Sequence, residues 1–148
     1  MTKTVGFIML NPSTADANVD DPTIRRCINF SKSWGYNRLL VGNLYAYRSP
    51  HPRDLLSVNY PKLHNSNIDY LRKLFVEAEV VVCAWGNEAT IKSIDKKNPG
   101  RPSIDLIFLL SKELAKPLYY IELTKKGTPK HPLYLKKDLK PKQWNFSE

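Results

Sequence analysis

The sequence predicts an α/β fold: a three-layer α/β/α sandwich around a central four-stranded, mainly parallel sheet. Short apolar runs alternate along the chain with segments of helical periodicity, which is the pattern of repeated strand–helix units. The runs are continuously apolar, as expected of parallel strands that are covered on both faces. A length of 148 residues suits one hydrophobic core. We therefore expect a single domain over residues 1–136, followed by a basic C-terminal tail at 137–148.

Four apolar runs have the length of strands. They are Thr4–Met9, Leu39–Leu44, Glu79–Trp85 and Leu118–Leu123. The third is rich in valine, a β-branched residue that favours strands. Since a helical segment separates each run from the next, the strands should pair in parallel through right-handed crossovers.

The first predicted helix has signals at both of its ends. Asp21 suits the N-cap and Pro22 suits the first helical position. Gly35 suits the position that ends the helix. Three further helices are predicted: one capped by Asn65 or Ser66, one after Gly86, and one over Ile104–Leu114 with Ser103 as its cap.

The net charge of +9 is concentrated towards the C-terminal part of the chain. A basic surface of this kind attracts polyanions, nucleic acid above all, although plain solubility is the alternative interpretation. The chain has no apolar run long enough to cross a membrane and no signal-peptide pattern at its start. Its two cysteines are expected to be buried free thiols. These features predict a cytoplasmic protein without a membrane partner.

Several well-known motifs do not occur in the sequence. It contains no phosphate-binding loop of the GxxxxGK[ST] type, no GxGxxG after a strand, no GxSxG and no HExxH. No spacing of cysteine and histidine suggests zinc. Asp16, Asp20 and Asp21 offer oxygen ligands for a cation, but a solvated loop is the simpler interpretation. We therefore predict neither a metal nor a cofactor.

Chemically distinctive residues follow each predicted strand. Because ligands bind beyond the carboxyl ends of parallel strands, these residues should converge on one edge of the sheet. The first three strands are followed by Asn11, Ser13 and Thr14, by Asn43, Tyr45 and Arg48, and by Trp85 and Gly86. The fourth is followed by Lys125, Lys126, Lys130 and His131.

These residue types suit a planar polar ligand that carries phosphate. The amide of an asparagine can donate to and accept from the edge of a base. Tyr45 and Trp85 can stack on its face, and Ser13 and Thr14 can bind phosphate oxygens. His131 can donate or accept a proton near neutral pH. Lysines add positive charge.

Structural roles compete with these functional ones. Asn11 in an Asn-Pro-Ser sequence is also typical of a turn. His131 precedes a proline and can be a loop histidine, Trp85 can belong to the core, and Tyr45 can pack within its loop.

Two resemblances extend this interpretation. The segments "MLNPSTAD", "DPTIRRC", "GNLYAYRSPHPRDL", "AWG" and "GTPKHPLYL" resemble an uncharacterised bacterial and phage family, domain of unknown function 1643. The order of "LNPS", "LLVGN", "VVVCAWGNEA" and "HPLYL" resembles the motif order of the uracil-DNA glycosylase superfamily. The second resemblance implies a glycosylase-like sandwich and hydrolysis of an N-glycosidic bond.

The glycosylase resemblance also implies roles for individual residues. Asn11 would position the attacking water, and Asn43 would read the base edge. His131 would stabilise the departing base, and Leu133 would enter the base stack during flipping. The chain differs from the superfamily pattern at Met9, where a glycine is usual, and at Leu133, where a serine is usual.

Three functions follow as hypotheses. The first is a nucleobase-directed hydrolase that cleaves an N-glycosidic bond in DNA or in a free nucleoside or nucleotide. The second is a non-catalytic protein that binds nucleic acid or a nucleotide through a degenerate glycosylase-like pocket. The third is an interaction module for a phage or host protein. The first two predict a nucleic acid or a nucleotide as the partner, bound in part by Arg48 and the lysines after the fourth strand.

Overall fold

The computed structural model describes residues 2–10, 21–44, 61–86 and 104–145. Within these ranges it contains five strands, three α-helices and a short 3-10 turn. The strands are β1 (Thr4–Met9), β2 (Arg38–Asn43), β3 (Val80–Cys83), β4 (Leu118–Tyr120) and β5 (Lys142–Gln143). The helices are α1 (Pro22–Ser33), α2 (Pro61–Glu77) and α3 (Ile104–Glu113), and the 3-10 turn covers Pro132–Tyr134.

The five strands form one mixed sheet in the order β2-β1-β3-β4-β5. β1 pairs in parallel with β2 and β3, and β3 pairs in parallel with β4. β5 pairs antiparallel with β4, through Tyr119 with Gln143 and Tyr120 with Lys142. The α/β class is confirmed, whereas the prediction of four strands is corrected to five. The missed strand has two exposed polar residues and therefore no apolar pattern to reveal it.

The sheet is covered on both faces. The α2/α3 face is the one on which Ile8 and Leu10 of the β1 region pack with Leu74 and Ile107. The α1 face is the opposite one, on which Phe7 and Met9 pack with residues of α1 such as Phe30. Successive β1 residues alternate between the two faces, as a strand requires. Full burial of each such side chain contributes about 1.5–3 kcal/mol.

Two sheet glycines let α2 approach closely. A Cβ atom on Gly6 of β1 would lie 2.7 Å from Cδ2 of Leu74, and one on Gly42 of β2 would lie 2.9 Å from Cδ2 of Leu71. Contacts this short are repulsive, so these positions require glycine for packing rather than for backbone freedom. The close approach holds α2 against the centre of β1 and β2.

Helix α1 has the predicted ends. The Asp21 carboxylate accepts hydrogen bonds from the N–H groups of Thr23 (2.9 Å) and Ile24 (3.4 Å). Gly35, with φ of 88°, ends the helix in a Schellman motif, since its N–H donates to the carbonyl of Lys32 and that of Tyr36 donates to Ser31.

Helix α2 begins earlier than predicted, at Pro61 rather than near Asn65. A proline is tolerated in the first turn of a helix, so Pro61 does not mark a loop here. The predicted helix after Gly86 and the predicted cap at Ser103 lie outside the described residues.

Candidate functional site

The carboxyl ends of β1, β2, β3 and β4 lie at one edge of the sheet, called here the carboxyl edge. Backbone hydrogen bonds continue there beyond the strands, from Leu44 N–H to the Met9 carbonyl and from Ala84 N–H to the Ile8 carbonyl, both 2.9 Å. Gly86 N–H donates to the carbonyl of Pro129, also at 2.9 Å. This bond ties the end of β3 to the segment that carries His131. The edge therefore joins the chain after β3 to the chain after β4.

Asn43 is the last residue of β2 and is half-buried. It is in register with Met9, so its side chain leaves the sheet on the α1 face. Its backbone carbonyl accepts a hydrogen bond of 2.8 Å from Nδ2 of Asn67, which also reaches the Leu44 carbonyl at 3.4 Å. Asn67 on α2 therefore fixes the end of β2. Asn67 was not among the predicted site residues, although an asparagine inside a helix, where its propensity is poor, is a signal for such a role.

Trp85 lies in the core of the α2/α3 face and is 2% exposed. Its ring centroid is 5.9 Å from that of Trp144. Among the described residues its indole N–H has no hydrogen-bond acceptor. The structure thus gives Trp85 the core position that was the alternative to base stacking. Gly86, which follows it with φ of 77°, turns the chain towards Pro129.

His131 caps the 3-10 turn at the carboxyl edge. Its Nδ1 accepts a hydrogen bond of 3.3 Å from the N–H of Leu133, so the neutral imidazole carries its proton on Nε2. Leu133, two residues after His131, has an exposed side chain, with 40% of its surface accessible.

The turn that contains His131 is anchored to α1. Nε of Arg26 donates to the carbonyl of Pro132 at 3.4 Å, and the Arg26 guanidinium lies 5.2 Å from the ring centroid of Phe30. Such a contact between a guanidinium and a ring is favourable. Helix α1 and the histidine turn therefore keep a fixed relation to each other.

A compact basic turn precedes His131. Thr124 N–H donates to the Thr128 carbonyl at 2.8 Å, and Gly127 N–H donates to the Thr124 carbonyl at 2.9 Å. Lys125 and Lys126 are exposed at the tip of this turn. Gly127 has φ of 78°, a conformation that glycine adopts without strain. The turn therefore presents two ammonium groups beside the carboxyl edge.

Lys130 differs from these two lysines because it has an acidic partner. Its Nζ lies 2.8 Å from Oε2 of Glu122. The hydrogen bond and the charge of Lys130 hold the pKa of the Glu122 carboxyl below its usual value, with smaller contributions from Lys142 and Lys136. The Glu122 carboxylate thus offsets part of the positive charge that Lys130 would offer to a phosphate.

Five of the predicted site residues lie outside the described residues: Asn11, Ser13, Thr14, Tyr45 and Arg48. Of the others, the structure brings Asn43, Gly86 and His131 to the carboxyl edge, and it places Trp85 below that edge in the core. The N-terminal amides of α1 are bonded to Asp21, so this helix end offers no vacant position for a phosphate.

Within the described ranges, no group of three or more His, Cys, Asp or Glu side chains is arranged to hold a metal ion. None of the helices in those ranges has the length and apolar character needed to cross a membrane.

Comparison with known proteins adds one finding. No curated protein and no solved structure matches the chain. Residues 1–133 match the family described as "Protein of unknown function (DUF1643)". That match includes the four parallel strands, the basic turn and His131. The chain therefore belongs to the DUF1643 family.

Proposed function

We propose that this protein is a nucleobase-directed hydrolase that cleaves an N-glycosidic bond at the carboxyl edge. The observation that carries the proposal is the orientation of His131. Because its Nδ1 accepts from Leu133 N–H, a neutral imidazole has its proton on Nε2, at an edge that also presents Lys125 and Lys126. An N–H donor suits the negative charge that develops on a base as its bond to the sugar breaks.

The proposed reaction assigns one role to each of three side chains. A water held by Asn11, which follows β1 in the sequence, bonds to the sugar carbon. The bond from that carbon to the base nitrogen breaks, and the base takes the electron pair. Nε2 of His131 donates a hydrogen bond to the base while this charge forms, and the departing base takes up the proton that the water loses. The amide of Asn43 distinguishes bases by their donors and acceptors.

Release of a free base tests the proposal. The substrates are single-stranded and duplex oligonucleotides that contain uracil, hypoxanthine or modified pyrimidines, together with the corresponding nucleosides. We expect a free base and an abasic product with at least one of these substrates. Failure to detect a product with every one of them contradicts the proposal.

Two matched variants isolate the donor role of His131. The carboxylate of His131→Asp can still accept from Leu133 N–H but cannot donate, whereas the amide of His131→Asn can do both. We expect His131→Asp to lower the rate about 10²–10³-fold, as for loss of other preorganised donors, and His131→Asn to lower it less. If both variants release the base as fast as the wild type, His131 caps its turn and has no role in the reaction.

Binding of nucleic acid or of a nucleotide without catalysis is the second candidate function. The exposed lysines at the tip of the 124–128 turn favour it. Contacts with phosphates make affinity fall steeply with salt concentration. Binding that weakens with salt, with no release of a base from any substrate, would support this function over the first.

A further inference from the structure

A pocket lies beside the C-terminal end of α1, at Trp34 and Tyr36. It has a volume of about 310 Å³ and is lined by Ser33, Trp34, Tyr36, Lys140 and Pro141. The chain between α1 and β2 places it at the amino ends of the strands, since Asn37 N–H donates to the carbonyl of Lys3, just before β1. A volume of about 300 Å³ is at the lower limit of small-ligand pockets. It suits one flat ring system rather than a large ligand.

One wall of this pocket is a fixed aromatic ring. Trp34 stacks on Phe30, with 5.3 Å between ring centroids, and on Phe7, with 5.8 Å and an interplanar angle of 7°. Its indole N–H donates to the carbonyl of Leu139 at 3.0 Å. These contacts hold the ring in one orientation, so little conformational entropy is lost when a ligand packs against it.

Tyr36 is the second aromatic residue of the pocket and is half-buried. Nζ of Lys3 lies 6.0 Å from its ring centroid. Burial, with the nearby Glu79 carboxylate and Tyr119, raises the pKa of the Tyr36 hydroxyl, so the ring is neutral at physiological pH. Tyr36 is thus a neutral ring with Lys3 and Lys140 nearby. This arrangement suits a ligand whose flat, uncharged ring stacks on Tyr36 and whose attached anion lies near the lysines.

The segment that leads to this pocket is strongly basic. Residues 122–142 contain seven lysines and two acidic residues, Glu122 and Asp138. We call these lysines the lysine strip: Lys125, Lys126, Lys130, Lys136, Lys137, Lys140 and Lys142. All of them are exposed except Lys130, which is half-buried.

Along the chain, the lysine strip leads from the basic turn towards the pocket. It starts at the basic turn before His131, and it reaches the pocket where Leu139 binds Trp34 and Lys140 lines the wall. Lys136 and Lys142 are close enough to Glu122 to lower the pKa of its carboxyl, and Lys142 pairs with Tyr120 at the end of β4. Several ammonium groups near one pocket suit a ligand that carries several phosphates.

We propose that the pocket binds one unstacked base of a single-stranded nucleic acid whose phosphates lie along the lysine strip. The base packs between Trp34 and Tyr36, and Lys140 contacts the adjoining phosphate. This pairing of stacking rings with a basic path is the general means of binding single strands. The inference rests on the pocket and the strip and does not depend on chemistry at His131.

Fluorescence anisotropy with labelled 15-nucleotide strands of DNA and of RNA tests the proposal. Tyr36→Leu keeps an apolar side chain but removes the stacking ring, and Tyr36→Phe keeps the ring. We expect Tyr36→Leu to weaken binding about tenfold and Tyr36→Phe to bind within about twofold of the wild type. Lys140→Ala should weaken binding and make it less dependent on salt, by about one phosphate contact. Lys73→Ala, at an exposed position of α2, is the control and should have no effect.

Several results would overturn the proposal. They are equal affinity of Tyr36→Leu and the wild type, equal affinity for a blunt duplex and a single strand, and binding to acidic phospholipid vesicles without binding to either oligonucleotide. Release of a base from a free nucleoside separates this inference from the proposed hydrolase. Tyr36→Leu should leave that release unchanged, so a loss of strand binding and a loss of catalysis are distinguishable. Far-ultraviolet circular dichroism of each variant confirms that it folds.

Discussion

The two faces of the sheet are covered in different ways. On the α2/α3 face two helices lie on the strands, and α2 approaches so closely that Gly6 and Gly42 have no room for a side chain. On the α1 face the described ranges contain one helix, and Leu135 and Leu139 of an irregular segment pack beside it. Regular helices pack at high density, whereas an irregular segment leaves grooves. The pocket lies where this irregular segment meets the end of α1.

Both faces contribute to stability, whereas the groups proposed for recognition depend on the α1 face. Both faces contain fully buried aromatic residues, such as Phe75 on the α2/α3 face and Phe7 on the α1 face. The α1 face also supports the residues proposed for catalysis and binding. Arg26 holds the His131 turn, and Trp34 forms a wall of the pocket. Changes on the α1 face should therefore affect binding and stability together.

The largest expected effect is that of Phe7→Ala on the α1 face. Phe7 is fully buried and stacks on Trp34, so removal of its ring leaves a cavity. We expect the free energy of unfolding to fall by about 3–5 kcal/mol, measured by urea denaturation. Strand binding should weaken as well, because Trp34 loses its support. A loss below about 1 kcal/mol would show that the α1 face collapses around the vacancy.

The next largest effect is that of Gly6→Ala. Gly6 precedes Phe7 in β1, and a side chain at this position would face α2. A methyl group on Gly6 would lie 2.7 Å from Cδ2 and 3.1 Å from Cγ of Leu74. We expect Gly6→Ala to lower the free energy of unfolding by about 1–3 kcal/mol through overpacking. The double variant with Leu74→Ala removes the clash, so its loss should be smaller than the sum of the two single losses. Additive losses would contradict the proposed close packing.

A smaller effect compares the two buried thiols, Cys27 on the α1 face and Cys83 on the α2/α3 face. Burial, with a smaller contribution from Asp21, raises the pKa of Cys27 from 9.0 to about 12, and burial raises that of Cys83. The folded state keeps protons that the unfolded chain releases above pH 9, so stability is lost as pH rises. We expect each thiol to contribute a loss of about 1.4 kcal/mol by pH 10.

Urea denaturation between pH 8 and pH 10 measures this loss in the wild type and in Cys27→Ala. The variant should lose less stability over that interval, because the unfolded chain then releases one proton fewer. An unchanged pH dependence would indicate that water reaches Cys27 through the α1 face.

The smallest effect compares the ends of one helix from each face. Ala115 ends α3 with φ of 53°, and Gly35 ends α1 with φ of 88°. Both follow the same motif, since Lys116 N–H donates to the carbonyl of Ser111. Left-handed backbone is costly for alanine, so we expect Ala115→Gly to stabilise the protein by about 0.5–1 kcal/mol and Gly35→Ala to destabilise it by about 1 kcal/mol.

Differential scanning calorimetry measures these shifts, which correspond to a few degrees in Tm. No side chain approaches the Gly35 position within 4 Å, so its effect reports the backbone alone. A rise in Tm for Gly35→Ala would contradict this account.

Local sequence signals were sufficient for the elements that they control. β1 has the predicted bounds because all of its residues are buried and most are apolar, and α1 has the predicted ends because Asp21 and Gly35 act locally. β5 could not be predicted, since Lys142 and Gln143 are exposed and show no apolar pattern. They pair with β4, which is distant in sequence, through backbone hydrogen bonds. Such pairing depends on the tertiary fold.

The candidate site was predictable to the extent that it follows from parallel strands. That arrangement brings Asn43, Gly86 and His131 to one edge. The burial of Trp85 was less predictable, because it depends on contact with Trp144, which is far from it in the sequence. The bonds from Asn67 to the end of β2 likewise depend on how α2 lies against the sheet.

Trp144 has a consequence for the biosynthesis of this protein. Its ring lies within 6.5 Å, centroid to centroid, of the rings of Trp85, Phe108 and Tyr120, so it fills one end of the α2/α3 face. A nascent chain that has emerged from the ribosome only as far as β4 still exposes Trp85 to water. Helices α2 and α3 can dock earlier, but this half of the molecule closes only after residue 144 has emerged.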